Sequence, residues 1–199
     1  MAINHSGRVS PLLALGFQGA ILLVALGALW AFGIPVRNDG LSLLAALLSG
    51  TLGGVMTWGL LYIMTLLPLF QVPVLRQHMR DLHRFTRSYS WPVLMGLAAL
   101  AGTGEELLFR AVIQGGLADA GYLVAGILVG AVVFGLVHFL SWAYFAMATL
   151  LGFVLGVAYW HSGSLLLVMV WHGVYDLVAI FMLRQYPQAF GLPRVQGVR

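Results

Sequence analysis

Six ionisable side chains stand within long apolar runs: Glu105, Glu106 and Arg110 in "GEELLFR", His138 in "FGLVHF", and His172 and Asp176 in "WHGVYD". A charge at bilayer depth costs about 2.5–3.5 kcal/mol or more, so such groups face the protein interior and mark a functional site. On an α-helix Glu106 precedes Arg110 by four positions, the favourable order for an ion pair, while Glu105 is turned by about 100° onto another face. One carboxylate is thereby neutralised and its neighbour left free. His172 and Asp176 share the same spacing, so the carboxylate can accept an imidazole N–H and orient the ring. A free carboxylate with two histidines can take a proton from water and return it to a leaving amine, which is general acid–base hydrolysis. Histidine N–H groups could also stabilise an oxyanion. The same oxygen and nitrogen donors would equally suit a divalent metal such as zinc or manganese.

Other hydrolytic plans lack their residues. The chain has no cysteine, which excludes thiol catalysis, disulfides and cysteine-ligated metal. It has neither an H-E-x-x-H helix nor a G-x-S-x-G elbow. Asp176 is the one acid in an apolar run away from the glutamate pair, so an aspartyl dyad has no partner. "HSGS" at His161–Ser164 reads as a turn between runs, and His5, His78, His83 and His161 receive no chemistry.

The elements that must position these groups are membrane helices. The 199 residues are 61% hydrophobic and 8% charged, outside the range of soluble domains. Six apolar stretches, Pro11–Ile34, Leu41–Phe70, Trp91–Leu117, Tyr122–Leu140, Trp142–Trp160 and Ser164–Leu183, each approach the ~20 residues that cross ~30 Å of hydrocarbon. Continuous rather than alternating apolar character selects helices over a barrel. The expected fold is therefore an all-α polytopic bundle of about six transmembrane helices. Arg8, then Arg76, Arg80, Arg84 and Arg87, then Arg184, Arg194 and Arg199 fall on one side of such a bundle, leaving Arg37 opposite. The positive-inside bias places both termini in the cytoplasm. The net charge of +4 fits topology and anionic headgroups, and the basic loop has no nucleic-acid-binding signature, so nucleic acid is not an expected partner.

Residues 1–90 form an N-terminal two-span region with a basic cytoplasmic loop, 91–183 hold nearly all the chemistry, and 184–199 are a cytoplasmic tail. Within "VPVLRQHMRDLHRF" apolar residues recur at helical spacing against the arginines, the pattern of an interfacial amphipathic helix. Gly50/Gly54, Gly126/Gly130 and Gly152/Gly156 are small-xxx-small pairs that let helix backbones approach. Thr103 and Glu106 have capping-box spacing, which predicts that "GTG" interrupts the third span and restarts a helix at the glutamates. No inverted repeat appears, which disfavours a proton-coupled transporter.

Three motifs resemble those of the CAAX prenyl protease and bacteriocin-processing (CPBP, or Abi) family of intramembrane proteases. "EELLFR" resembles its E-E-x-x-x-R motif, "FGLVH" with Phe134 and His138 its F-x-x-x-H motif, and "HGVYD" its H-x-x-x-N/D motif. The resemblance spans about Trp91 to Leu183. It implies an intramembrane endopeptidase of glutamic type acting on a peptide or membrane-tethered protein, with no required metal. By the same resemblance Glu105 and His138 activate water, Glu106 and Arg110 hold the geometry, Phe134 packs the motif, and His172 with position 176 stabilises the oxyanion. The eukaryotic prenyl-protein endoproteases of the family have asparagine where this chain has Asp176. An ionised aspartate cannot donate to an oxyanion, so Asp176 is expected to orient His172 and leave the histidine as donor. The resemblance does not imply prenyl-protein processing for this chain. The expected setting is the bacterial inner membrane. A zinc-dependent peptidase and a non-catalytic bacteriocin-immunity or scaffolding protein are the alternatives, and nothing in the sequence speaks to oligomeric state.

Overall fold

Four of the helices begin on a serine whose hydroxyl accepts the backbone N–H three residues on, which satisfies a donor the helix itself cannot. Ser10 caps α1 (Pro11–Phe32), Ser42 caps α2 (Leu43–Leu66), Ser141 caps α6 (Trp142–Ser162) and Ser164 caps α7 (Leu165–Gln185). Between these lie α3 (Pro73–Ser88), α4 (Trp91–Asp119) and α5 (Leu123–Val137). The computed structural model describes residues 9–67 and 73–192; Arg8, Arg194, Arg199 and His5 lie outside the described residues. The chain is 85% helical, with no strand among the described residues.

The protein is an all-α membrane bundle. Helices α1, α2, α4, α6 and α7 are long and apolar enough to cross a membrane. The fourth stretch of the sequence reading folds as the shorter α5, whose 15 residues rise only about 22 Å against ~30 Å of hydrocarbon. That shortness sets the depth of His138, which follows its last turn. Gly121, at φ 90, turns the chain between α4 and α5. Glu105 lies sixteen residues before this turn and His138 seventeen after it, so the two arms of the hairpin bring them level.

Close glycine contacts set the packing. A Cβ on Gly54 of α2 would lie 2.7 Å from the Trp171 carbonyl of α7, and one on Gly50 would lie 2.6 Å from that of Leu167. Gly126 and Gly130 pack on the Gln114 and Phe109 carbonyls of α4, and Gly152 on Ala131 of α5. The small-xxx-small pairs thus carry three helix contacts.

"GTG" does not break α4. The helix runs unbroken from Trp91 to Asp119, but Ala101–Glu105 and Leu107–Gly115 are wound as π-helix, with i→i+5 bonding that widens the backbone. Thr103 donates its hydroxyl to the Ala99 carbonyl at 2.7 Å instead of capping anything. Gly102 allows the widened segment to press on α7, since a Cβ there would lie 2.7 Å from Met169 O and 2.8 Å from Gly173 N.

The basic segment is helical and amphipathic, as its pattern predicts. Its Leu75, Met79 and Leu82 face inward over the bundle, Phe85 edges the same cavity while remaining exposed, and Arg76, Arg80, Arg84 and Arg87 are exposed. Arg184 of α7 donates to the Thr86 and Tyr89 carbonyls at 2.7 Å each, fastening the C-terminal end of α3 to α7. At the opposite end "HSGS" is a turn: Gly163 has φ 59, Ser164 caps α7, and Asn38 accepts the Leu166 N–H at 2.9 Å.

Candidate active site

Glu106 is fully buried and has one donor on each oxygen. Arg110 Nε donates to Oε2 at 2.9 Å, and both side chains are 0% exposed. His172 Nδ1 lies 2.8 Å from Oε1, and because a carboxylate only accepts, that ring nitrogen carries the hydrogen. The ion pair read from the i, i+4 spacing is present, but Glu106 also holds a histidine from a helix 66 residues away.

Asp176 contacts this ring without a hydrogen bond. Its Oδ2 is 3.6 Å from His172 Nε2, an ion-pair distance one helical turn on, and the ring's hydrogen bond runs to Glu106 instead. The cause is the close approach of α4 to α7 at Gly102 and Gly173, which brings the Glu106 carboxylate to Nδ1 first. His172 Nε2 is left facing Asp176 and the cavity.

Glu105 turns the other way, toward α1 and α5. Gln18 Nε2 of α1 donates to its Oε1 at 3.0 Å. Its Oε2 is buried, has no hydrogen-bond partner among the described residues and stands 3.5 Å from His138 Nε2. The end of α5 decides what that nitrogen is. His138 N–H bonds to Gly135 O in a tightened last turn, so the Phe134 carbonyl is released and lies 2.8 Å from His138 Nδ1. A carbonyl accepts only, so Nδ1 bears the hydrogen; Nε2 faces Glu105, and in a neutral ring it presents a lone pair.

Phe134 is the packing centre of the motif. Its ring lies 4.4 Å from that of His138, 5.7 Å from His172 and 5.3 Å from Phe109, and the Arg110 guanidinium is 5.4 Å from its centroid. Phenylalanine one turn before the histidine therefore fixes both imidazoles.

A cavity of about 80 Å³ is lined by Phe134, His138, Tyr144, His172, Tyr175 and Asp176. Tyr144, Tyr175 and Asp176 also line a mainly apolar cavity of about 310 Å³, whose roof is the inward face of α3. Gln18, Tyr144 and Tyr175 were not picked out from sequence. Gln18 carries a usable signal, being the sole polar side chain of α1, whereas a tyrosine near a span end looks like any interfacial anchor. All seven residues picked out from sequence, Glu105, Glu106, Arg110, Phe134, His138, His172 and Asp176, meet in one cluster drawn from α4, α5 and α7. Among the described residues no three of His, Asp and Glu are grouped so as to hold a metal ion.

Residues 87–178, a little under half of the chain, match the family model described as type II CAAX prenyl endopeptidase Rce1-like. The segment is an Rce1-like domain of the CPBP family. No curated protein and no solved structure matches the chain. The Rce1-like domain begins at the end of α3 and closes two residues after Asp176, so it contains the whole cluster except Gln18. The family implies membrane endopeptidase activity in general, and the helices make this a multi-pass membrane protein.

Proposed function

We propose that the protein is an intramembrane endopeptidase of glutamic type, acting in a bacterial inner membrane on a peptide or membrane-anchored protein. The observation that carries this reading is a pair of facing acceptors, Glu105 Oε2 and His138 Nε2, 3.5 Å apart with the carboxylate oxygen unpartnered. A water admitted between them with the substrate would donate one hydrogen to either side, which polarises it for attack. Its oxygen adds to the scissile carbonyl as its proton passes to the Glu105 and His138 pair. The oxyanion formed is met by His172 Nε2, which donates when the ring carries both hydrogens while Glu106 holds Nδ1. The proton then leaves with the amine, the C–N bond breaks, and the two carboxylates and rings return to their starting state. The apolar cavity beneath α3 adjoins this pocket and would receive the substrate segment. The scheme requires no metal; activity lost to a chelator and restored by zinc would overturn that part.

Glu105→Gln is the deciding variant, because it keeps shape and removes the base. Loss of a general base costs about 10²–10⁴-fold in rate. In a comparison of membrane and secreted proteomes, cells carrying Glu105→Gln should accumulate a precursor that wild-type cells process, and a farnesylated CAAX peptide added to purified protein tests the substrate named by the family. Equal cleavage by both forms would sink Glu105 as the base, and cleavage by neither form with no precursor in the cells would sink the peptidase reading and favour a scaffold or immunity protein.

A further inference from the structure

We propose that Gln18 of α1 is a positioning residue for the hydrolysis, holding Glu105 Oε1 so that Oε2 is presented to His138. The inference rests on the proposed role of Glu105 as base. Gln18 lies outside residues 87–178, on a helix whose other side chains are all apolar. Its Nε2 reaches Glu105 Oε1 at 3.0 Å, and the other carboxylate oxygen has no hydrogen-bond partner. A carboxylate with one oxygen tethered loses rotation about its last torsion, which leaves Oε2 aimed at the His138 nitrogen 3.5 Å away.

The register of α1 is set independently of this bond. A Cβ on Gly104 would stand 3.2 Å from Leu22 N, so the α1 backbone rides directly on α4 beside Glu105. Gln18 and Leu22 are i and i+4 on one face of α1, which delivers the amide to the carboxylate. Leu15 rests on Gly96 on the same side. With packing supplied by Leu15, Leu22 and two glycines, the amide is not needed to attach α1. Gln18 also lines the large apolar cavity with Asp176, where a non-polar side chain would fit the surroundings better. Glu105 accounts for its amide N–H, while Gln18 Oε1 is buried without a hydrogen-bond partner among the described residues.

The test uses the full-length protein in phosphatidylglycerol–phosphatidylcholine vesicles and Gln18→Leu, which keeps the side-chain size and removes the donor. The carboxylate stretching band of Glu105, isolated by subtracting the spectrum of Glu105→Gln, should shift in Gln18→Leu. With a mixture of internally quenched peptides randomised around the scissile bond, kcat should fall about 10- to 100-fold with KM nearly unchanged. Thermal unfolding should stay close to wild type. An unmoved band, or an unchanged kcat, overturns the proposal, and a fall in kcat with the band unmoved assigns Gln18 to packing alone. Should Gln18→Leu fail to fold, Gln18→Met carries the same test. If Glu105→Gln itself remains active, the base reading fails and this inference with it; if Glu105→Gln is inactive and Gln18→Leu is unaffected, only this inference falls.

Discussion

Two adjacent glutamates in one turn have opposite surroundings, and their substitutions should separate accordingly. Glu106 is fully buried with Arg110 and His172 as donors, so Arg110→Ala leaves an uncompensated carboxylate in the core. Breaking a buried pair in this way costs about 3–5 kcal/mol. Arg110→Ala should therefore melt well below wild type in a detergent thermal scan, or fail to accumulate. Among the described residues Glu105 has Gln18 and the His138 contact, so Glu105→Gln should melt near wild type while losing activity. Equal melting of both variants would mean that the Glu106 cluster does not hold the fold. The ion pair was legible in the sequence because both partners lie on one helix at fixed spacing. The bond from His172 to Glu106 was not, because it depends on how closely α4 approaches α7. Sequence spacing offered His172 a partner on its own helix, Asp176, and tertiary packing supplied a nearer one.

At the scale of elements, that approach is the work of Gly102 in the π-wound centre of α4. Its missing side chain leaves room for the Met169 carbonyl and the Gly173 amide of α7, backbone atoms that cannot step aside. Gly102→Ala should push the two helices apart at a cost of about 1–3 kcal/mol. The bond most exposed to this displacement is the 2.8 Å contact of His172 with Glu106, so activity should fall further than stability does. Purified Gly102→Ala can be compared with wild type in thermal unfolding and in peptide cleavage; full activity would show that the approach at Gly102 is not what holds His172. The glycines were legible as packing residues, and the span limits fell within a few residues of the observed helices. The winding of α4 was not legible, because "GTG" followed by Glu carries the same local signals as a helix break and restart. Whether such a segment breaks or winds wide depends on α1 and α7 pressing on both sides of it.

For the whole molecule, the distribution of arginine predicts which face of the bundle meets the cytoplasm. Among the described residues, Arg76, Arg80, Arg84, Arg87 and Arg184 gather at the end where α3 packs, and Arg37 stands at the other. The larger active-site cavity lies at the α3 end, lined by that helix, and His78 of α3 lies 3.0 Å from the Ser141 hydroxyl, at the start of the helix that carries Tyr144. If the positive-inside bias holds, hydrolysis takes place on the cytoplasmic side of the bilayer and substrates reach it from that leaflet. The chain has no cysteine, so single introduced thiols report position without background. Ser90 and Asp39 are exposed at opposite ends of the bundle, and Ser90 makes no side-chain capping bond that a substitution would remove. A membrane-impermeant maleimide applied to the cytoplasmic membrane of spheroplasts should label Asp39→Cys at once and Ser90→Cys only after lysis. The reverse pattern would invert the bundle, placing α3 and the cavity on the outer face and making exported proteins the substrates to search.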